Sequence, residues 1–305
     1  MTRGGWALML LVLALVAPAC SFPGLATPTP FVLPTPNLTL TAIFEPPSTL
    51  GAPVFTPTPV VVVPAASSTP TPTAVGASTA TPGPGSTRPN GSPVRATRLN
   101  VAPTLDGDLT DWSGTVYAAD QIVFGASRWS GQADVSGSYY IGWDAANLYL
   151  AISVRDDKHV QRSSGAKMYL GDDVELQLDL DLALDYTSPS LSNDDVQLGF
   201  SPGDFGVRAP EAYRWYPLAQ AGRLSSATVK ARVTDQGYAL EAGIPWSALG
   251  ITPAAGESFG MALSLSDNDA AGTVVQQSMV SSVSTRKLFN PTTWGTLILD
   301  EAPGK

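Results

Sequence analysis

From Thr97 to the C-terminus the sequence predicts an all-β fold, an antiparallel, jelly-roll-like β-sandwich of about ten strands. Three observations predict it. Apolar and polar residues alternate with period two along most of the segment, as in "SGSYYIGW", "LYLAISV" and "VELQLDLDL". The alternating runs are short and are separated by turns containing Gly, Asn or Asp. Nothing in the segment carries the 3.6-residue apolar repeat of an amphipathic helix.

The chain opens "MTRGGWALMLLVLALVAPAC". One arginine precedes an apolar run from Trp6 to Val16, and the small residues Ala17-Pro18-Ala19 lead to Cys20. The run is shorter than the ~20 residues that cross a bilayer, so residues 1–19 read as a signal peptide. Two cuts stay open. Ala17-x-Ala19 suits an ordinary signal peptidase and a secreted product, whereas "APAC" resembles a bacterial lipobox, with Cys20 as the lipidated first residue. Cys20 is the only cysteine, so no disulfide framework exists and its one position is where a lipid would attach. The expectation is an exported protein held at the cell surface through Cys20.

Residues 20–96 are rich in Pro, Thr, Ser, Ala and Gly and almost free of charge, as in "FTPTPVVVVP" and "SSTPTPTAVGASTATPGPG". Proline removes backbone donors and favours extended chain, so this stretch reads as a disordered Thr/Pro stalk. The remaining domain, 97–302, is long enough to bury a sizeable core. Net charge is −9 with 14% charged residues and no basic patch. That excludes nucleic acid as an expected partner and leaves membrane association to the lipid alone. A monomer is expected.

Within the domain, two strands flank the turn Asp144-Ala145-Ala146-Asn147, and a hairpin turns at Thr234-Asp235-Gln236-Gly237. "DVELQLDLDL", "DVQLGF", "SFGMALSLSDND", "VVQQSMVSSV" and "WGTLILDE" supply further strands. "IPWSALG" reads as one helical turn, opened by Pro245 and closed by Gly250. In the acidic strand, Val174, Leu176, Leu178 and Leu180 share one face and should enter the core. Asp173, Glu175, Gln177, Asp179 and Asp181 share the other, which should meet solvent.

Several clusters bear on chemistry. In "LDGDLTDW", Asp106, Asp108 and Asp111 suit either turn capping or Ca²⁺, a hard cation that takes six to eight oxygens. "SDNDAAG" raises the same choice, with an Asx-turn favoured. Asp173/Glu175 and Glu175/Asp156 are carboxylate pairs at a spacing open to glycoside hydrolysis, yet exposed strand faces often carry such pairs, and no Ser/His/Asp or Cys/His set can be assembled. Trp143, Tyr149, Trp246 and Trp294 suit core or sheet-edge packing. "YRWYP", with Trp215 at its centre, is a candidate aromatic platform.

In order, "PTLDGDLTDW", "WDAANLYLAISVRDD", "YLGDDVELQLDLD", "GYALEAGIPWSALGI", "GESFGMALSLSDND" and "NPTTWGTLILD" together resemble a family 9 carbohydrate-binding module, a β-sandwich related to DOMON-like domains. The resemblance covers Pro103 to Asp300. It implies a non-catalytic module that binds a polysaccharide or oligosaccharide, with structural calcium in some members. It also implies a site in which two aromatic faces clamp a sugar chain end. One aromatic position falls on Tyr169, and the other on Leu288, with Phe289 beside it. The acidic partners fall on Asp156 and Glu175. The basic residue falls near Gly199 and the amides near Ser264 and Thr285, so that half of the pattern is missing, and Trp215 is the candidate replacement for the lost aromatic. Two alternatives accompany this reading. One is a ligand-free structural or protein-contact sandwich. The other is a b-type haem site, as in some DOMON-like domains, using His159, Lys167 or Met168.

Overall fold

The acidic strand is central rather than peripheral, and the architecture is best built outward from it. A computed structural model describes residues 87–301. The segment read as a signal peptide, Cys20 and the stretch read as a stalk up to residue 86 lie outside the described residues. The acidic strand, β6 (Asp173–Asp179), is the sixth of fourteen. Before it come β1 (Val94–Arg98), β2 (Tyr117–Ala119), β3 (Gln121–Phe124), β4 (Val135–Trp143) and β5 (Asn147–Asp156). After it come β7 (Asp195–Ser201), β8 (Glu211–Tyr216), β9 (Gly222–Arg223), β10 (Thr228–Thr234) and β11 (Gly237–Pro245). The last three are β12 (Ser258–Asp267), β13 (Ser278–Ser281) and β14 (Gly295–Leu299).

The strands form one curled sheet in the order β10-β11-β5-β4-β1-β14-β12-β6-β7-β8-β9. Strand β1 joins its two halves. Val94–Ala96 pair with Leu297–Leu299 of β14, and Thr97 and Arg98 pair with Gly142 and Trp143 of β4. Both pairings are parallel, so the sheet is mixed where a purely antiparallel one was expected. The far edge of β12 is shared, by β14 along Ser258–Met261 and by β13 along Ser264–Asp267. The two halves face each other over one apolar core that includes Leu150, Ile152 and Leu240 from one side and Leu176, Leu263 and Phe200 from the other. Contact is direct: a Cβ on Gly137 of β4 would lie 2.7 Å from Leu265 of β12.

The hairpins occur where the sequence predicts them. Thr234 pairs with Gly237 across the β10–β11 turn, and the Asp144 carboxylate caps the β4–β5 turn through the backbone N–H groups of Ala146 and Asn147. The helical turn α1 (Trp246–Leu249) ends at Gly250, whose φ of 79° is left-handed, and Pro245 precedes it as the cap. Strands β1, β2, β3, β8 and β9 were not foreseen, being short or lacking clean alternation. Domain structure also begins earlier than Thr97, because β1 starts at Val94 and Arg88 is buried.

The largest correction concerns β6 itself. Its inward residues Val174, Leu176 and Leu178 are buried as expected, but so are Asp173, Glu175, Gln177 and Asp179 on the other face. That face is covered by arginines from distant segments. Arg88 meets Asp179 at 2.6 Å, and Arg286 meets Glu175 at 3.0 Å. Gly260 on β12 makes room for the first, since a Cβ there would lie 2.3 Å from Arg88 Nη1.

Candidate functional site

Over the Glu175 end of this face lies a cavity of about 390 Å³. Its floor is polar. Glu175 comes from β6, Gln197 from β7, Gln276 from the β12–β13 loop and Arg286 from the loop after β13. Its walls are apolar: Tyr169 from the turn before β6, Trp215 and Tyr216 from β8, then Leu218, Met279, Leu288 and Phe289. Strand alternation places Glu175 beside Gln177 on one face, and Arg286 binds both. Its Nη2 donates to Glu175 Oε2 at 3.0 Å and its Nε to Gln177 Oε1 at 3.1 Å. Gln197 Nε2 donates to the Leu288 carbonyl at 2.7 Å, which fixes the opposite wall.

The aromatic wall is a corner. Tyr169 and Trp215 meet edge to face, with centroids 6.2 Å apart and planes at 77°. The Trp215 indole N–H donates to the Ala166 carbonyl at 2.9 Å, which fixes the ring. Gly199 is the enabling residue on β7: a Cβ there would lie 2.2 Å from Trp215 and 2.8 Å from the Met168 sulfur. Trp215 thus lies across the position where the sequence resemblance expected a basic side chain. The guanidinium comes from Arg286 instead.

Burial pushes the Glu175 carboxyl up, and the Arg286 guanidinium beside it pulls it back down. Burial lowers Arg286 in turn, opposed by Glu175. Asp173 is fully buried, neither of its oxygens has a hydrogen-bond partner, and burial with repulsion from Glu175 holds it well above the usual carboxylate range. Asp173 is inaccessible and does not line the cavity, so the Asp173/Glu175 pair does not present two carboxyls to one ligand.

Tyr169, Glu175, Trp215 and Phe289 converge here, and Asp156 does not line the cavity. Asp156 ends β5, where its Oδ1 accepts from the Lys158 N–H at 2.7 Å. The amide positions expected at Ser264 and Thr285 are used elsewhere: Ser264 Oγ bonds Ser281 Oγ, and Thr285 Oγ1 donates to the Thr293 carbonyl. Gln197 and Gln276 supply the amides. Sequence reasoning missed both, together with Arg286, although "STRKLF" carried the arginine two residues before Leu288.

Two other clusters change meaning. His159 Nε2 donates to the Gly203 carbonyl at 2.8 Å, and Nδ1 lies 3.1 Å from Asp172. Burial opposes its charge, but Asp156 and Asp172 outweigh burial and push it up to about 10. With both nitrogens engaged, His159 offers haem iron no lone pair. Met168 is fully buried against Gly199. In "LDGDLTDW", the Asp106, Asp108 and Asp111 carboxylates accept backbone N–H bonds from Asp108, Thr110 and Thr104. Buried Glu241 organises that turn by accepting from the N–H groups of Asp106, Gly107 and Trp112 Nε1. These three carboxylates do not converge, and this geometry suits turn capping better than Ca²⁺.

The sequence from 105 to 302 matches the model of the "Carbohydrate family 9 binding domain-like" family. The chain belongs to the family 9 carbohydrate-binding modules. Solved structures of other family 9 modules share the fold of this one. A module from Caldicellulosiruptor kristjanssonii in complex with cellotriose is 19% identical with a TM-score of 0.53, covering 70% of this chain and 95% of that one. The same organism's module in complex with glucose gives 19% and 0.53, covering 70% and 97%. No match was found among curated proteins. Within the family 9 frame, the cavity between Tyr169, Trp215 and Arg286 is the place where this module carries both aromatic faces and fixed polar groups.

Proposed function

We propose that the domain binds a neutral glycan, without catalysis, in the cavity bounded by Tyr169, Trp215 and Leu288. The observation that carries this is the aromatic corner set directly against a neutralised ion pair and two amides. A pyranose ring offers an apolar face to stack on Trp215 and hydroxyls to meet Glu175, Arg286, Gln197 and Gln276. Each stacking contact contributes ~0.5–1.5 kcal/mol beyond area burial, and each hydrogen bond a similar net amount. Because Glu175 cancels the Arg286 charge, an anionic sugar gains no free cation, so neutral sugars are preferred. The family 9 modules solved with cellotriose and glucose support this class of ligand.

Titration calorimetry against cello- and xylo-oligosaccharides tests the reading. Binding in the range of ~10–1000 μM is expected from one stacking face and a few hydrogen bonds. Trp215→Ala should weaken it at least ~10-fold. Heat from no neutral glycan would leave the second reading, a protein-contact module, which the exposed apolar rim of Leu218 and Phe289 favours.

The same proposal includes export and anchoring. The leader and the Thr/Pro stretch support a lipid at Cys20, with the stalk holding the module away from the membrane. Cys20→Ser should abolish fatty-acid labelling of the protein and release it from membranes; unchanged labelling would overturn the anchor.

A further inference from the structure

A second hollow, of about 570 Å³, opens elsewhere on the domain and is larger than the cavity over Glu175. Its volume falls within the ~300–1,000 Å³ of small-molecule sites. Stretches far apart in the sequence build it. Residues 89–94 lead into β1, residues 117–121 cover β2 and the start of β3, residues 282–285 follow β13, and Tyr139 comes from β4. The 282–285 stretch runs straight on into Arg286, Leu288 and Phe289 of the cavity over Glu175, so one segment serves both. Residues 89–94 lie before the 105–302 stretch that matches the family model, so one wall of the hollow comes from outside that match.

The walls are held in place without a ligand. Gly91, at a left-handed φ of 79°, closes on Val283: a Cβ there would lie 3.3 Å from Val283 Cγ1. Asn90 Nδ2 donates to the Thr292 and Trp294 carbonyls at 2.7 and 2.8 Å. Both of its hydrogens are spent, which fixes the amide and leaves Oδ1 as an acceptor. Tyr117 and Tyr139 are cross-strand neighbours on β2 and β4, with ring centroids 5.6 Å apart and planes at 34°. The Tyr117 hydroxyl accepts from the Arg95 N–H at 2.8 Å, which fixes the half-buried ring.

One polar group in the hollow is left over. Tyr139 is fully buried, and burial pushes its hydroxyl up, so it stays a protonated donor. Ser282 stands beside it, yet Ser282 Oγ accepts from the Leu263 N–H at 3.1 Å and the Tyr139 hydroxyl completes no hydrogen bond. A buried donor without an acceptor is costly, and an acceptor bound in the hollow would remove that cost. Asp120 is the one carboxylate on the lining. Its oxygens accept from the Gln121 and Gln132 amides at 2.7 and 2.9 Å, and each keeps a lone pair for a ligand hydroxyl. No lysine or arginine lines the hollow, so a phosphate, sulfate or carboxylate would find no counter-charge. A tyrosine ring bordered by a phenol, a carboxylate and the Ser92 and Ser284 hydroxyls suits a ligand with an apolar face and several hydroxyls. We propose that this hollow is a second saccharide site, with Tyr117 as the stacking face and Asp120 and Tyr139 as hydroxyl partners. The site stands on its own residues and does not rest on the function proposed for the cavity over Glu175.

The isotope-labelled full chain is titrated with cellotriose, and separately with xylotriose, and followed by amide chemical shifts. Expected are two sets of shifts that saturate independently. Gly91, Ala118 and Asp120 report the hollow, and Tyr169 and Gln197 report the cavity over Glu175. The Gly91 set should give a Kd of ~1–20 mM, as suits one tyrosine face and a few hydrogen bonds. Trp215→Ala should weaken the Tyr169 set while the Gly91 set persists. Tyr139→Phe removes only the unsatisfied hydroxyl and should weaken the Gly91 set at least ~3-fold. Ser284→Tyr puts a larger side chain into the hollow from an exposed position and should abolish that set. A Gly91 set absent with both sugars, or untouched by Ser284→Tyr, overturns the second site; the proposed function then stands or falls on the Tyr169 set. An affinity unchanged by Tyr139→Phe removes Tyr139 from the site. Shifts in the Gly91 set alone sink the cavity over Glu175 and uphold the hollow, and shifts in neither set overturn both.

Discussion

Four residues apart on one face of β6, Glu175 and Asp179 are each paired with an arginine from far along the chain, yet the two pairs differ. Asp179 and Arg88 are 0% and 1% exposed, with Gly260 giving Arg88 its space. Glu175 and Arg286 are both 8% exposed and form the floor of the cavity. The same ion-pair chemistry thus seals one end of the strand and equips the other. Burying such a pair gives little net stability, but removing one partner leaves a buried charge and is expensive. The sealed pair should therefore control folding and the open pair binding.

The largest effect is expected from Arg88→Met. It strands Asp179 in the interior and should cost ~3–5 kcal/mol in urea unfolding, with glycan affinity unchanged at temperatures where the fold persists. Adding Asp179→Leu should recover most of that loss. If Arg88→Met is as stable as the native chain, the contrast between the two ends is broken. Arg286→Ala should cost less stability, ~1–3 kcal/mol, because cavity water can reach Glu175. It should also abolish measurable glycan binding, whereas retained affinity would remove Arg286 from the site.

A smaller effect sharpens the comparison at the aromatic corner. Gly199→Ala places a Cβ 2.2 Å from the native Trp215 position. The indole must move, so affinity should fall ~5- to 10-fold with a Tm change of only a few degrees. Unchanged affinity would mean that the position of Trp215 is immaterial. The smallest effect is with pH. Burial pushes Asp179 up to about 6 against the pull of Arg88, and pushes Asp195 up to about 7. The ordinary aspartate value is 3.8, so between pH 4 and 7 the folded chain holds protons that the unfolded chain has lost. Stability in chelator should rise as pH falls from 8 to 5, and the deficit of Arg88→Met should shrink over the same range. A melt that is flat between pH 8 and 5 would count against both carboxyls.

Much of the fold was legible because its signals are local. Alternation located β4, β5, β6, β7, β11 and β12, and turn chemistry located both hairpins. The signals failed where a strand is defined by its neighbours. Val94–Arg98 is a strand because β14 and β4 flank it, and Glu211–Tyr216 because β7 does. At the cavity, Tyr169 and Glu175 followed from the family motif, and Trp215 from its aromatic cluster. Arg286, Gln197 and Gln276 lie on no shared motif. They are brought together by strand pairing and by a loop that folds back over β6. Asp156 was assigned to the same site because it is acidic and in the right order, but it ends β5 with its carboxylate accepting from the Lys158 N–H and does not line the cavity.

Period two decided which residues of β6 share a face, since in a strand that is a property of the backbone alone. It could not decide which face is wet. That depended on Arg88 and Arg286, 91 and 111 residues away from their partners, and on β12 and β7 closing both edges of the strand. Alternation is written in consecutive residues, whereas burial is a property of whatever packs on top. The acidic row was visible in the chain; that it is an interior row, half sealed and half opening onto a cavity, was decided only by the tertiary structure.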